Sequence, residues 1–244
     1  MNRQTRRRLA VVGAAAAIGI ASPFWGPAVL RTMPAFGVVG IDVHGARFVS
    51  PDAARALAAI PPDASVWDDH SGAEDRLATH PLIEDARIRR DGFNRLVIEL
   101  HEVRPVALVP TPTLEPVDGR GTLIPVDPAE HALDLPILQR AEVQDGRVTD
   151  EDSRRVLAVL ERLGDLSPEF VQRVSEIRRW PGDAVELVLL DGSHIARMIL
   201  PLDDAELAFL RAEDAIGECG EKGRVVAVDA RFRDQVVVQI EGRA

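Results

Sequence analysis

The stretch "HPLIEDARIRRDGFNRLVIELHEVRPVALV", residues 80–109, decides how this chain folds. In "ARIRR" the residues Ala86 and Ile88 fall on one side and Arg87 and Arg89 on the other, the period of two that a strand requires. Asp91-Gly92-Phe93-Asn94 carries the residues of a tight turn. "LVIEL" then returns with Leu96, Ile98 and Leu100 inward while Val97, Glu99 and His101 point out. The two runs form a hairpin in which Arg87 or Arg89 faces Glu99 across the strands, an interaction of about 0.2–1 kcal/mol.

Working toward the N-terminus, "FGVVGIDVHG" (residues 36–45) alternates Val39, Ile41 and Val43 as a strand ended by glycine. Ser50 and Pro51 open a helix that closes before Pro61-Pro62. Ser71 and Glu74 have the spacing of a capping box for a second, short helix ending at His80-Pro81. The order is β-α-α-β-β, two helices on one face of a three-stranded sheet.

After Arg104-Pro105 the texture changes. Prolines between Pro110 and Pro136 suit short edge strands and turns, with Asp118-Gly119 as a hairpin corner. Thr149 is positioned to cap a helix bearing Val156, Leu160 and Leu163 on one face and ending at Gly164, and Ser167-Pro168 starts a shorter one. Strands "SEIRRW", "VELVLL" and "HIARMIL" are joined by Pro181-Gly182-Asp183 and Asp191-Gly192-Ser193. Asp203 and Glu206 box a last helix carrying Leu207, Leu210 and Ile216, and the chain closes with the strand patterns "RVVAVDARF" and "QVVVQI". The fold class is α+β: a small β-α-α-β-β domain, then a larger β-rich domain with helices packed on a sheet.

The N-terminus sets the compartment. Four arginines stand among the first eight residues, and no charged residue follows until Arg31. Residues 9–30 as a helix would reach about 33 Å, the depth of a bilayer core. Arginines ahead of this span and an acidic body after it place the N-terminus in the cytoplasm and export the body. Pro23 and Pro27 shorten the unbroken apolar run to Leu9–Ala21, which also fits a cleaved signal peptide, and "TRRRLAV" loosely resembles a twin-arginine signal.

The first 36 residues hold five of the 29 basic residues and none of the 39 acids, so the remainder has a net charge of −15. Such a body repels nucleic acid and anionic surfaces. One cysteine, Cys219, excludes an internal disulfide and a multi-cysteine zinc site. Asp68-Asp69-His70 reads as a loop rather than a metal site, because ligands must converge from several segments. His44, His80, His101, His131 and His194 lack metal spacing. "DGRG" and "ECGEKG" read as turns, not phosphate cradles, and no nucleophile elbow is present. No catalytic residue, metal or cofactor is expected. The terminal run 236–240, next to Arg231-Phe232-Arg233, has the makings of an edge strand that templates a partner.

The segments, in this order, resemble the bacterial FtsQ/DivIB cell-division family. "VVGIDVHG" with "SPDAARALAAI" is similar to the opening of its polypeptide-transport-associated (POTRA) domain. Pro81, Ala86, Arg89, Leu96 and Ile98, followed by Glu102, Pro105 and Ala107, are similar to that domain's closing landmarks. "VDGRGTLIPVD" with "DLPIL" resembles the start of the family's β domain, and Asp229, Arg231 and Phe232 its Asp-x-Arg-Phe segment. Asn94 stands where members often have proline, and Met198-Ile199-Leu200 replaces a common Leu-Gly pair.

The resemblance implies a cytoplasmic tail at residues 1–8, a transmembrane helix at 9–30, a POTRA-like domain at 36–105 and a β domain at 106–244. It implies a non-catalytic scaffold of the divisome, single-pass in the inner membrane and concentrated at the septum. The scaffold would bind coiled-coil partners of FtsB and FtsL type and regulate septal peptidoglycan synthesis. The residues expected to bind a partner are Asp229, Arg231, Phe232, Val236, Val238 and Ile240. Two other classes remain open: a POTRA-type chaperone of outer-membrane assembly, and a secreted enzyme with an unrecognised site.

Overall fold

The computed structural model describes residues 28–191, 194–219 and 223–242. All but the last three residues of the apolar stretch 9–30 lie outside them, and among the described residues no helix is long and apolar enough to cross a membrane. The chain divides into two compact units, with the division between Glu102 and Val103.

The first unit is built on β1 (Gly40–His44), α1 (Pro51–Ala58), α2 (Ser71–Ala78), β2 (Ile83–Asp91) and β3 (Arg95–Glu102). Its sheet order is β1-β3-β2, with β1 parallel and β2 antiparallel to β3. Leu96, Ile98 and Leu100 are buried together with Ala54, Ala58, Ala73 and Leu77 from the two helices, so the strand period and the helix period meet in one core. Ser50 caps α1, its Oγ accepting from the Ala53 amide at 3.2 Å. Arg87 sits opposite Glu99 in the register, yet the ion pair is made diagonally by Arg89 at 3.0 Å while Arg87 turns to Asp85.

The capping box at Ser71 does not form. His70 is the N-cap residue, and the Ser71 amide donates to Asp69 Oδ1 at 3.0 Å. Glu74 reaches across to β2 and accepts the Ile88 amide at 2.7 Å. Glu102 has a comparable tertiary role. Its carboxylate accepts the backbone N–H groups of Arg47, Phe48 and Val49 at 3.1, 2.7 and 2.9 Å, gathering the loop that follows β1. Within that loop Gly45 has φ +80°, and a Cβ there would run into the carbonyl oxygen of Leu100.

The second unit runs β4 (Ala107–Thr111), β5 (Thr113–Val117), β6 (Ile137–Leu138), β7 (Val143–Gln144), β8 (Arg147–Val148), α3 (Glu151–Leu166), α4 (Pro168–Val171), β9 (Val174–Trp180), β10 (Ala184–Asp191), β11 (His194–Pro201), α5 (Ala205–Cys219), β12 (Arg224–Asp229) and β13 (Val237–Glu241). Eight strands form one sheet in the order β13-β12-β11-β10-β9-β6-β4-β5. Two parallel joints, β6–β9 and β11–β12, are bridged by α3 and α5, which lie against each other. Between helices and sheet lies a core that includes Leu157, Leu160, Leu163, Ile177, Val185, Leu187, Met198 and Leu200.

Two helix starts differ from expectation. Asp150, not Thr149, caps α3: its Oδ1 accepts the Ser153 amide at 2.8 Å and its Oδ2 the Glu142 amide at 3.0 Å. The helix runs through Gly164 to Leu166. Asp203 and Glu206 form no box either. Asp203 pairs with Arg155 at 3.2 Å and Glu206 with Arg162, both partners belonging to α3.

The buried face of α5 is Ala205, Ala208, Phe209 and Ala212, with Ile216 packed against it, whereas Leu207 and Leu210 are exposed. Small side chains let this helix lie close to its neighbours, and the leucines turn outward. Within β10, Glu186 is 2% exposed and lies between Arg178 at 2.7 Å and Arg197 at 3.7 Å, both reaching from flanking strands.

Candidate partner-binding edge

The sheet of the second unit ends in β5 on one side and β13 on the other. The β5 side is blunted. Pro116 lacks an N–H there, Ile124 donates to its carbonyl at 2.8 Å, and Val117 bridges to Leu123. β13 contains no proline and, among the described residues, pairs only with β12. Backbone groups of an antiparallel strand alternate toward and away from the neighbour, so β13 presents an open row of N–H and C=O groups.

The register fixes which side chains accompany that row. Asp229, Val228 and Ala227 stand opposite Val237, Val238 and Gln239, and a bulge follows on β12 before Val225 meets Ile240. Val236, Val238 and Ile240 share the half-buried face, with Val236 and Val238 packed on the core. The outward face carries Val237, Gln239 and Glu241, and Val237 is 50% exposed. The valine at 237 therefore belongs with the candidate surface, although it is absent from the six residues that the sequence points to. Its signal was present in the alternation, but nothing in the sequence says which face meets α5.

Asp229, Arg231 and Phe232 shape the connection into β13. Asp229 ends β12, and its carboxylate receives Arg231 Nε at 2.9 Å, Arg231 Nη2 at 2.7 Å and the Arg231 amide at 3.2 Å. The Arg231 hydrogen bonds hold the Asp229 carboxyl below the usual carboxylate range against burial, which pushes it up, and Arg231 is raised in turn. The Arg231 guanidinium lies 5.8 Å from the centre of the exposed Phe232 ring. From α5, Arg211 donates to the Phe232 carbonyl at 3.3 Å and to that of Arg233. Ala230, fully buried, donates its amide to Ile199 at 2.9 Å, and Arg224 pairs with Glu241 at the far end of the hairpin. The terminal segment is thus a short hairpin clamped at both ends, with one side open.

The landmark residues act structurally. In the first unit Ala86, Leu96 and Ile98 are buried, Pro81 lies on the surface, Arg89 holds Glu99 and Glu102 gathers its loop, and Pro105 and Ala107 are buried in the second unit. Asp68 and Asp69 cap backbone amides at Ser65 and Ser71, and among the described residues no set of three or more His, Cys, Asp or Glu is placed to hold a metal. A cleft of about 620 Å³ at the ends of β9 and β10 is lined by Arg178, Arg179, Asp152, Asp183 and Trp180. Its charges are largely engaged, Arg179 with Asp152, Arg178 with Glu186 and Asp183 with Arg155.

Residues 36–102 match the family model of the FtsQ-type POTRA domain, and residues 107–231 that of the C-terminal region of cell division protein FtsQ/DivIB. Over 242 residues the chain is 27% identical to the cell division protein FtsQ of Myxococcus fulvus (strain ATCC BAA-855 / HW-1), covering 94% of this chain and 83% of that protein. Over 241 residues it is 29% identical to the cell division protein FtsQ of Anaeromyxobacter sp. (strain K), covering 96% of this chain and 80% of that protein.

Proposed function

We propose, from the premise that the chain belongs to the FtsQ/DivIB family of cell-division proteins, that it is a membrane-anchored, non-catalytic scaffold of the divisome. Residues 9–30 would hold it in the inner membrane with residues 1–8 in the cytoplasm and the two units outside. Its task is to bind partners of FtsB and FtsL type and so link and regulate septal peptidoglycan synthesis.

One observation carries the site of binding: β13 is an edge strand with an open backbone row and an exposed Val237, stiffened by the Asp229–Arg231 clamp. An extended partner segment adding alongside it would gain main-chain hydrogen bonds, and side-chain contacts would set its identity. The body's acidity favours a partner segment with basic residues.

The test is depletion in dividing cells, with a functional fluorescent fusion of the full chain. The reading expects a mid-cell band and filamentation on depletion, both restored by the wild-type chain and poorly restored by a chain altered in β13. Normal septation on depletion overturns the division role. Full rescue by β13 variants overturns the edge as the binding site.

A further inference from the structure

We infer that the tip of the β2–β3 hairpin and the segment entering β1 form one apolar surface that rests on the lipid headgroup layer beside the anchor. The inference builds on the reading of residues 9–30 as a membrane anchor. It concerns how the first unit stands on the bilayer.

The surface is contiguous by bonded contacts. The apolar stretch ends at Leu30, and Arg31 is tied to the first unit, its Nε donating to the Trp67 carbonyl at 2.7 Å and lying 3.8 Å from Asp68. A single 3₁₀ turn, Pro34–Phe36, follows, and the Val66 amide donates to the Phe36 carbonyl at 2.9 Å. The Phe36 ring lies 6.1 Å from that of Trp67 and 6.4 Å from that of Phe93. The Val39 amide donates to the Asn94 carbonyl at 2.8 Å, which sets Val39 beside the hairpin tip. The chain's emergence from the apolar stretch is therefore held next to Phe93.

Among the described residues, the side chains displayed there are the most exposed large apolar groups of this unit. Phe93 is 77% exposed, Val39 72%, Val29 48% and Met33 46%. Scattered exposed apolar residues are ordinary, but Val29 belongs to the end of the 22-residue apolar stretch, and Met33, Val39 and Phe93 belong to the segments joined to it by the contacts above. Arg90 stacks over the Trp67 ring at 3.6 Å, an arrangement of aromatic and cation suited to the interfacial layer. Asp68 lies beside Arg31 and Arg90 is engaged over the Trp67 ring, so apolar insertion, not attraction to anionic lipid, carries the contact. Because the described chain begins at residue 28, at the end of an apolar stretch long enough to cross a bilayer, a lipid surface fits this occupant better than a soluble protein.

The test uses the full chain with Cys219→Ser, reconstituted in phosphatidylethanolamine/phosphatidylglycerol vesicles, and an environment-sensitive label on Asp91→Cys or, separately, on Asp85→Cys. Both positions lie on one face of β2, about 20 Å apart at 3.3 Å per residue. The expected result is that lipids spin-labelled near the headgroup quench the label at position 91 and not that at position 85, and that adding Phe93→Ser removes the quenching. Absence of quenching at 91 in a chain that resists alkaline carbonate extraction overturns the surface contact while the anchor stands. Equal quenching at both positions overturns the orientation. Release of the chain by carbonate overturns the anchor reading and this inference with it.

Discussion

Arg231 grips Asp229 through two guanidinium nitrogens while donating its own amide to the same carboxylate, so a span of three residues closes the turn out of β12. The arrangement stiffens the approach to β13 without a disulfide or a proline. Asp229→Asn keeps an acceptor for the amide and loses the charged fork. The expected loss is about 1 kcal/mol, discounted for partial exposure, or about 3 °C in the melting temperature of the second unit.

The same pair sets a pH dependence. Asp229 is held below its unfolded value of about 3.9, so its contribution is full above that value and is lost as pH falls through the depressed folded value. The melting-temperature gap between wild type and Asp229→Asn should therefore be constant at neutral pH and close in acid below about pH 4. A gap that widens in acid would contradict the assignment.

Proline substitutions at Val237 and Val238, made singly, separate binding from folding. Neighbouring residues of β13 direct their N–H groups to opposite sides, so one proline removes a bond to β12 and the other removes only an outward donor. Both should weaken partner capture by the full chain, and only one should lower thermal stability by more than about 2 kcal/mol. Undiminished capture by the stable variant would argue against strand addition.

Glu102 should be costly to replace despite lying at the end of a strand. Three amides point at its carboxylate, and Glu102→Ala leaves them without that acceptor. The expected destabilisation of the first unit is about 2–3 kcal/mol. Hydrogen exchange at Arg47, Phe48 and Val49 should accelerate ahead of the rest of the unit.

Glu186 offers a contrast within one site. Arg178→Ala leaves a carboxylate of 2% exposure with only Arg197, 3.7 Å away, and should cost about 2–4 kcal/mol. Glu186→Leu removes the buried charge and fills its space, so its cost should be small or absent. Denaturant midpoints of the two variants decide the order.

Much of the architecture is readable from periodicity. The alternation in "ARIRR" and "LVIEL" sets the hairpin and its inward face, and "VELVLL" yields a central strand with Val185, Leu187 and Leu189 in the core. Strand order in the second unit is not readable this way, because β4, β6 and β9 are brought together by parallel crossovers whose partners are remote in sequence. Caps mislead for a related reason. Ser71 and Glu74 have the local spacing of a box, but Glu74 gains a sheet amide instead. The buried face of α5 is not set by the helical spacing of Leu207, Leu210 and Ile216, because close packing places Ala205, Ala208, Phe209 and Ala212 inward and leaves Leu207 and Leu210 exposed.

That last point carries its own test. Leu207→Gln should change stability by less than about 0.5 kcal/mol, while Ala208→Leu should cost about 2 kcal/mol through overpacking. Thermal melts of the two variants check it.

Among the described residues the terminal hairpin pairs with the remaining sheet at Arg197 with Ala227, Met198 with Val228 and Ile199 with Asp229, extended by the Ala230 amide donating to Ile199. A joint so short makes β12 and β13 a region whose opening is set locally, not by the whole unit. A partner that adds to β13 binds the closed form alone, so its affinity appears as extra local stability: about 2.7 kcal/mol when present at a hundredfold its dissociation constant. The hairpin then acts as a gauge of occupancy, its amide exchange slowing in proportion to the partner engaged.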